Sequence, residues 1–479
     1  MEGTHAPTWY IKIMKWPFCH LSIAILMLTS CSDPAPIALH PENPHYFLYE
    51  GKATILITSG EHYGAVLNQD FNYVTYLEAL SNDGLNLTRT FTGAYVEPEG
   101  AFKIERNTLA PVPGKFICPW RRSEQPGYTK GGNKFDLTKW NEEYFTRLKD
   151  FMAEAEKRKI IVELALFCPF YENIQWSLSP MNSVNNVNGA GPTDRLDVYT
   201  LDKSKGLLQV QETLVRKLVH ELKDYSNLIY EICNEPYFGG VTMEWQHHIA
   251  SIIQEEEKDF PKKHLISQNI ANKKLKIENP HPGVSVFNFH YAYPPIPVAQ
   301  NFHLNKVIGD NETGFEGTAD SSYRKEAWAF LLAGGGLYNN LDYSFSVGYE
   351  NGTLKYSDTQ PGGGSPALRK QLAYLKNFLN DFDFLKMQPD STIIASNFAL
   401  HKKSQVLAEA GRQYAVYVFG KGPFNVELSI PAGTYRVEFL DPLTGKNEQA
   451  QNATSNGKVI IACPAYREDV AIKLVAVEN

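Results

Sequence analysis

Strand-like and helix-like segments alternate along most of this sequence, and the alternation limits the available folds more than any other feature. Short apolar runs that end at polar residues are separated by amphipathic stretches at helical spacing. Such alternation is typical of βα units around a parallel sheet. The predicted strands are Ile55–Thr58, Leu85–Phe91, Ile160–Phe167, Leu228–Cys233, Leu265–Asn269, Val284–Phe289, Lys306–Gly309 and Gly336–Asn340. Eight strands in this order predict a (β/α)8 TIM barrel of the α/β class.

The stretches between these strands supply the predicted helices. One helix is predicted to begin after an N-cap at Asp136, because Leu137, Trp140 and later apolar residues lie on one stripe. His45–Ala53 is predicted to be a hairpin that closes the floor of the barrel. Further helices are predicted near Phe71–Leu80, Leu207–Tyr225, Met243–Lys258 and Pro366–Leu379.

The pattern changes after about Asp390 to short alternating strands separated by turns such as Pro431–Gly433. This pattern predicts a small antiparallel β-sandwich after the barrel. The 479 residues accommodate a barrel of about 250–350 residues with one accessory domain. We assign residues 45–388 to the barrel and 389–479 to the sandwich. We expect the sandwich to pack against the barrel and stabilise it rather than to bind substrate independently.

Residues 1–31 are predicted to be an export signal rather than part of the fold. Basic residues precede an apolar segment, about Phe18–Leu28, that is too short for a mature transmembrane helix. Leu28-Thr-Ser-Cys31 resembles the lipobox of bacterial lipoproteins, which implies cleavage before Cys31 and lipidation of that residue. A general secretory signal is the alternative. With residues 32–44 as a tether, we expect an exported protein anchored by lipid to the outer membrane or cell surface.

Charge and motif content exclude several functional classes. A net charge of −7 and a pI near 6.0 disfavour nucleic acid as a partner. The cysteines show no CxxC spacing, and His247-His248 has no further ligand at metal-binding spacing, so we expect no metal. Neither a Gly-x-Ser-x-Gly elbow nor an HExxH motif is present, which disfavours esterases and zinc proteases. The sequence indicates no cofactor.

Two of the predicted strands lead into glutamates. Leu228–Cys233 is followed at once by Asn234 and Glu235, and Lys306–Gly309 is followed closely by Glu312. The carboxyl ends of barrel strands form the face where active sites are built. Hydrolysis of a glycosidic bond needs an acid on one side of the bond and a carboxylate on the other. The two glutamates therefore predict a glycoside hydrolase whose partner is a carbohydrate.

The run Ile229-Tyr-Glu-Ile-Cys-Asn-Glu-Pro236, with a later strand ending in Glu312-Thr-Gly-Phe, resembles the clan A glycoside hydrolases, such as family 5. The resemblance covers about residues 45–385, and the trailing domain is similar to the β-sandwich of bacterial cellulase-like relatives. By position, it implies that Glu235 is the general acid/base and Glu312 the nucleophile of a retaining mechanism. It also implies a substrate with β-glycosidic bonds.

The same resemblance implies roles for neighbouring residues. Asn234 would hydrogen-bond the sugar 2-hydroxyl, and Arg89 would hold the nucleophile in its ionised form. Either His290 or Tyr291 would reach the nucleophile, and the sequence leaves open which ring does so. Candidate substrate-binding residues elsewhere are Glu61, His62, Tyr63, Trp120 and Trp176.

The sequence also departs from the family 5 pattern. A histidine near the end of strand 3 or 4 and a tryptophan after strand 8 are absent, which indicates a neighbouring family. The departures leave the substrate undetermined. We expect a glucan or a mannan, and an endo-β-glucanase is one activity that fits this expectation. Exo cleavage and transglycosylation are alternatives, as is a surface lipoprotein that binds glycan without turnover. The sequence does not determine the oligomeric state.

Overall fold

The computed structural model describes residues 1–10, 34–394, 404–420, 422 and 425–477. Its contacts divide the chain into Met1–Pro34 and Ala35–Asn479. Most of the predicted export signal, including Cys31, lies outside the described residues, so the lipid anchor stays a prediction. Within the described ranges, every helix is too short or too polar to cross a bilayer.

A small antiparallel sheet precedes the barrel. It consists of β1 (Ala38–Leu39), β2 (Phe47–Tyr49) and β3 (Lys52–Thr54). Phe47 and Tyr49 pack in one apolar cluster with the first residues of several barrel strands, such as Leu56. The predicted hairpin at the barrel floor is therefore present.

The barrel is a single sheet of eight parallel strands in the order β4-β13-β12-β11-β10-β9-β8-β5. At its open edge, Asn86 N donates to Ile57 O at 3.2 Å and Phe91 N donates to Tyr63 O at 3.0 Å, which joins β5 to the chain of β4. The strands up to β13 are β4 (Leu56–Gly60), β5 (Leu87–Phe91), β6 (Trp120–Pro126), β7 (Asn133–Trp140), β8 (Ile161–Phe167), β9 (Leu228–Cys233), β10 (Leu265–Asn272), β11 (Val284–His290), β12 (Val307–Thr313) and β13 (Leu337–Leu341). Each predicted barrel strand is present, and the predicted fold class is confirmed.

Helices follow most of the barrel strands. The connection between β10 and β11, residues 273–283, is described throughout and contains none. The helices are α1 (Tyr73–Asn82), α2 (Glu142–Lys157), α3 (Asn173–Leu178), α4 (Leu207–Leu222), α5 (Met243–Glu257), α6 (Ile296–Asn301), α7 (Asp320–Leu332) and α8 (Pro366–Asn380).

The predicted start of α2 is wrong. Leu137 and Trp140 belong to β7, which pairs with β6 in a hairpin, and the helix begins after Asn141. The Asp136 carboxylate accepts from Thr138 N at 3.0 Å instead of capping a helix. Phe135 and Leu137 have the spacing of a strand, whereas Leu137 and Trp140 have that of a helix, and the strand partner decides between the two.

The C-terminal region is an antiparallel β-sandwich, as predicted. One sheet has the order β14-β15-β16-β21-β18-β19 and the other pairs β17 with β20. Their facing apolar residues form a separate core cluster. The strands are β14 (Gln388–Pro389), β15 (Ser404–Glu409), β16 (Gln413–Phe419), β17 (Asn425–Leu428), β18 (Gly433–Leu440), β19 (Asn447–Ser455), β20 (Val459–Ala462) and β21 (Asp469–Ala476).

Helix α7 connects the sandwich to the barrel. Arg324 Nε donates to Asp469 Oδ2 at 2.9 Å, and both side chains are buried. The Trp328 and Tyr417 rings stack with centroids 5.3 Å apart. Polar and apolar contacts thus fix the sandwich to the outside of the barrel, which agrees with the predicted packing role.

Candidate active site

The carboxyl ends of the barrel strands bring the predicted polar residues together. Arg89 lies in β5, Glu235 follows β9, His290 ends β11 and Glu312 lies in β12. A register shift in the pairing of β11 with β12 sets His290 opposite Glu312. Such irregularities re-aim side chains next to active sites.

Backbone strain concentrates at the same edge of the barrel. The residues Tyr63, Glu235 and Tyr291 have φ values of 59°, 35° and 54°. These values lie in the left-handed region that residues other than glycine rarely adopt. Such conformations persist where surrounding contacts enforce them, and they cluster at functional sites. The turn after β9 thereby aims the Glu235 side chain into the barrel mouth.

The two predicted catalytic carboxyl groups are close together. Ligand atoms of Glu235, His290 and Glu312, one from each side chain, all lie within 4.8 Å of one another. All three side chains are buried. A retaining glycosidase holds its two carboxyl groups about 5–5.5 Å apart, whereas an inverting enzyme spaces them at about 6.5–9.5 Å. The nearest oxygens of Glu235 and Glu312 therefore lie closer together than the carboxyl separation of an inverting enzyme.

Three donors surround the Glu312 carboxylate. Tyr63 OH donates to Oε2 at 2.8 Å, and Tyr291 OH donates to Oε1 at 3.0 Å. Arg89 Nη1 donates to Oε2 at 3.2 Å. Donors of this kind stabilise the ionised form of a carboxyl group. Tyr291 therefore reaches Glu312 through its hydroxyl, while His290 Nδ1 lies 3.5 Å from Glu312 Oε1.

Glu235 has a different set of partners. Tyr171 OH donates to its Oε2 at 2.6 Å, and Tyr237 OH donates to Oε1 at 3.3 Å. His290 Nδ1 lies 3.1 Å from the same Oε1 atom. The imidazole therefore lies between the two carboxyl groups and can exchange a proton with either.

Asn234 is held in place on both sides of its amide group. Its Oδ1 accepts from Arg89 Nη2 at 2.7 Å, and its Nδ2 donates to Tyr171 OH at 2.9 Å. Arg89 also pairs with Glu231 in β9, so the guanidinium joins three acidic or amide groups below the cavity. The orientation of Asn234 beside Glu235 is thus fixed before any substrate binds.

The protonation of these groups is linked. Burial raises the pKa of Glu312, and the charges of His290 and Arg89 oppose part of this rise. Burial also acts to raise the pKa of Glu235, but the hydrogen bond and charge of His290 outweigh it, so that pKa is lowered. Although burial acts to lower it, the charge of Glu312 and the hydrogen bond to Glu235 raise the pKa of His290. The three groups share their protons as one unit.

A cavity of about 480 Å³ opens above the carboxyl pair. His62 and Glu97 line one wall, and Phe238 and Lys273 line the opposite one. Cavities of this size, mostly apolar with a few convergent polar groups, are typical of small-molecule and sugar sites.

The structure does not bring three of the predicted binding residues to this cavity. Trp120 and Trp176 are buried in the apolar core. The Glu61 carboxylate is buried too, and it accepts from Gly64 N, Ala65 N and Thr108 Oγ1. Its contacts are those of a turn-stabilising residue. The assignment of these three residues to substrate binding is corrected accordingly.

Several residues at the site were not singled out in the sequence. Glu231 lies within the Ile229–Pro236 run, where strand alternation turns it into the barrel. Tyr171, Glu97 and Phe102 lie in long loops, where no periodicity marks them. Their position after a strand end was the only available signal.

The Glu235, His290 and Glu312 cluster has a spacing compatible with a metal ion. The guanidinium of Arg89 lies 3.2 Å from one of these carboxylates, and tyrosine hydroxyls donate to the oxygens of both. The carboxylate oxygens of this cluster are therefore already engaged by a positive charge and by hydrogen-bond donors, which compete with a cation for them.

No protein-family model and no curated protein matches this sequence. Among solved structures, a Bacteroides vulgatus protein proposed to be a glycoside hydrolase is 13% identical, with a TM-score of 0.65, over 92% of this chain and 82% of that chain. A structure described as a glycoside hydrolase is 15% identical, with a TM-score of 0.61, over 92% and 97% of the two chains. A family 5 glycoside hydrolase from Bacteroides vulgatus is 13% identical, with a TM-score of 0.61, over 92% and 93%. This chain therefore has the two-part fold of these solved proteins, a barrel followed by a β-sheet domain.

Proposed function

We propose that this protein is a retaining glycoside hydrolase that cleaves β-glycosidic bonds without a cofactor. The observation that carries the proposal is the spacing of the Glu235 and Glu312 ligand oxygens, which lie within 4.8 Å of each other in one cavity. That distance is shorter than the separation that inverting enzymes use to place a water molecule, which supports direct attack by the second carboxylate. The fold shared with solved glycoside hydrolases supports the same reaction class.

In the first step, a carboxylate oxygen of Glu312 attacks the anomeric carbon while the bond to the leaving oxygen breaks. Glu235 gives its proton to that oxygen. In the second step, Glu235 accepts a proton from water, and the resulting hydroxide releases the sugar from Glu312. Both substitutions invert the anomeric carbon, so the product keeps the configuration of the substrate.

The surroundings of Glu312 suit a nucleophile. Arg89, Tyr63 and Tyr291 donate to its carboxylate, which keeps the leaving carboxylate stable when the glycosyl ester is hydrolysed. Asn234 Nδ2 donates to Tyr171 OH at 2.9 Å and to Cys168 Sγ at 3.4 Å. A thiol is a weak acceptor, so a sugar 2-hydroxyl can replace it as the partner of that hydrogen.

Glu235 must hold a proton when substrate is bound, although His290 lowers its pKa in the empty cavity. A sugar above the pair displaces water and increases the desolvation of Glu235, which raises a carboxyl pKa. The proton then passes from His290 Nδ1 to Glu235 Oε1 across the 3.1 Å contact. His290 thus acts as the proton store of the acid/base.

The decisive experiment uses Glu235→Gln and Glu312→Gln on β-linked gluco- and manno-oligosaccharides. We expect each variant to lose about 1,000-fold or more in kcat, because each removes one of the two reacting carboxyl groups. Glu244→Gln on the exposed face of α5 is the matched control and keeps wild-type turnover. Near-wild-type rates in either site variant would overturn the assignment.

Azide distinguishes the two roles. With an activated aryl β-glycoside, azide accelerates Glu235→Ala and yields a β-glycosyl azide, because the anion attacks the covalent intermediate without a general base. In Glu312→Ala, azide replaces the nucleophile and gives the α-glycosyl azide. The reverse pattern would exchange the two assignments.

Calorimetry that shows tight oligosaccharide binding with no product would instead identify a glycan-binding protein.

We also propose that the protein acts at a bacterial membrane through a lipid on Cys31. The lipobox-like Leu28-Thr-Ser-Cys31 supports this proposal. Metabolic labelling with a fatty-acid analogue should label the wild-type protein and not Cys31→Ala. Equal labelling of both proteins contradicts the anchor.

A further inference from the structure

Two long loops meet beside the cavity. The first follows β5 and includes Glu105 and Arg106, and the second follows β13 and includes Ser346 and Gln360. Gln360 Oε1 accepts from Glu105 N at 2.9 Å, and Ser346 Oγ donates to Arg106 O at 3.1 Å. Because β5 and β13 flank β4, the joined loops form a wall over the end of β4.

Phe102, on the first of these loops, spans the mouth of the cavity. Its ring packs edge-on against Tyr171 at 5.3 Å and against Phe315 at 6.4 Å. Tyr171 donates to Glu235, and Phe315 packs against Tyr291, the partner of Glu312. Phe102 thus bridges the acid side and the nucleophile side of the mouth.

The opposite side of the cavity is open. Tyr237 and Phe238 are 37% and 49% exposed, and Asn272 and Lys273 complete that rim. The connection that follows β9 is joined to its neighbours, since Tyr237 OH donates to Asn272 Oδ1 at 2.5 Å and Thr242 N donates to Tyr199 O at 3.2 Å. Beside these contacts, the exposed side chains of Tyr237 and Phe238 offer a surface along which a chain can leave the cavity.

The proposed mechanism determines which part of the substrate lies on each side of the cavity. Glu235 protonates the leaving oxygen, so the departing chain lies on the open side with Tyr237 and Phe238. The sugar that becomes attached to Glu312 lies towards the wall, on the side of the cavity that Tyr63 and His62 line. This argument depends on the function proposed above.

Glu97 lines the closed end of the cavity, and no ion pair to its carboxylate occurs among the residues that the structure describes. Its oxygens accept from Tyr95 OH at 3.0 Å and from Asn107 Nδ2, whose Oδ1 in turn lies 3.1 Å from His62 Nδ1. Each carboxylate oxygen can accept a second hydrogen bond. The side chain is 2% exposed, and that surface belongs to the cavity.

We propose that this site is a blind pocket that removes sugars from the non-reducing end of a chain, with Glu97 accepting hydrogen bonds from hydroxyl groups of the terminal sugar. An interior sugar carries a further residue where the wall stands, so the pocket excludes it. The contacts between the loop after β5 and the loop after β13 thus close one end of the cavity.

The first test follows the order of products. The wild-type protein is incubated with β-1,4-linked gluco- and manno-oligosaccharides that carry a fluorescent label at the reducing end. We expect labelled products that shorten stepwise from the unlabelled end, and no cleavage when the terminal 4-hydroxyl is methylated. Early labelled products from internal bonds, or cleavage of the methylated chains, overturn the blind pocket.

The outcomes separate this inference from the proposed function. Internal cleavage with retained configuration contradicts the blind pocket and remains consistent with the proposed glycosidase. Absence of turnover on every oligosaccharide and aryl glycoside overturns the glycosidase and the pocket together.

The second test concerns Glu97. Wild type and Glu97→Gln are compared on aryl β-glycosides and on their 4-deoxy and 6-deoxy analogues. We expect at least one analogue to lose about 100-fold in kcat/KM with wild type and much less with Glu97→Gln, because the amide of the variant offers one acceptor oxygen where the carboxylate offers two. Glu99→Gln, exposed on the same loop, is the control and discriminates like wild type. Equal discrimination by Glu97→Gln and wild type removes Glu97 from recognition.

Discussion

Arg89 and Glu231 form a two-point ion pair below the cavity. Nε and Nη2 of Arg89 donate to the two carboxylate oxygens of Glu231 at 2.6 and 2.7 Å, and both side chains are fully buried. The pair fixes the guanidinium so that its remaining nitrogen points to Glu312. The sequence predicted Arg89 as a partner of Glu312, and the structure shows that Glu231 positions Arg89.

Replacing Arg89 by Lys should reduce catalysis strongly. A lysine keeps the charge but cannot contact Glu231, Asn234 and Glu312 with one planar group. We expect kcat on an aryl β-glycoside to fall by about 100-fold, the usual cost of losing one preorganised donor at the reacting centre. Arg216→Lys, in a surface pair with Glu255, is the control and keeps its activity. A kcat within twofold of wild type for Arg89→Lys contradicts this role, provided that thermal unfolding shows both variants folded.

His62 should make the protein less stable in acid. Burial lowers its pKa to about 4 from 6.5 in the unfolded chain. Between these values the unfolded chain binds the extra proton and the folded protein does not. Above pH 6.5 the buried imidazole therefore costs no stability through protonation. The free energy of unfolding falls as the pH decreases from 6.5 towards 4, by about 3 kcal/mol for this group.

Urea unfolding of wild type and His62→Gln at neutral pH and near pH 4 measures this contribution. The carboxyl groups of Glu61 and Glu97, whose pKa values burial raises to about 7, act in the opposite direction in both proteins. The difference between the two proteins therefore isolates His62. We expect the variant to lose less stability on acidification, whereas the exposed control His303→Gln should follow wild type. Parallel curves for wild type and His62→Gln refute the prediction.

Removing Arg324 should weaken the attachment of the sandwich. Its guanidinium pairs with buried Asp469, which also accepts from Tyr417 OH at 2.9 Å. Arg324→Met leaves that carboxylate buried without a cation, which costs about 3–5 kcal/mol. Thermal unfolding should show a lower Tm, with wild-type kcat at temperatures where the variant is folded. Arg436→Met, in an exposed pair with Glu438, should leave the Tm within the error of measurement. An unchanged Tm in Arg324→Met would falsify the anchoring role.

Much of the architecture was readable from local patterns. Each barrel strand begins at an apolar residue, and Leu228–Cys233 has the predicted bounds. Strand β12 extends to Thr313, beyond the predicted Gly309, because its polar end residues pair with neighbouring strands. The segment before α2 was predicted to be helical, but it forms β7 because it pairs with β6. The pairing is a tertiary contact that the apolar spacing of the segment does not show.

The sequence alone determined the barrel, the sandwich and the two strand-end glutamates, because side-chain periodicity and strand ends are local properties of the chain. Only the tertiary structure decided that Tyr291 donates to Glu312 while His290 lies between both acids. It also buried Trp120 and Trp176 and joined the loops at Arg106 and Ser346, residues separated by 240 positions. Contacts at such separations depend on the closure of the whole barrel, and no local pattern encodes them.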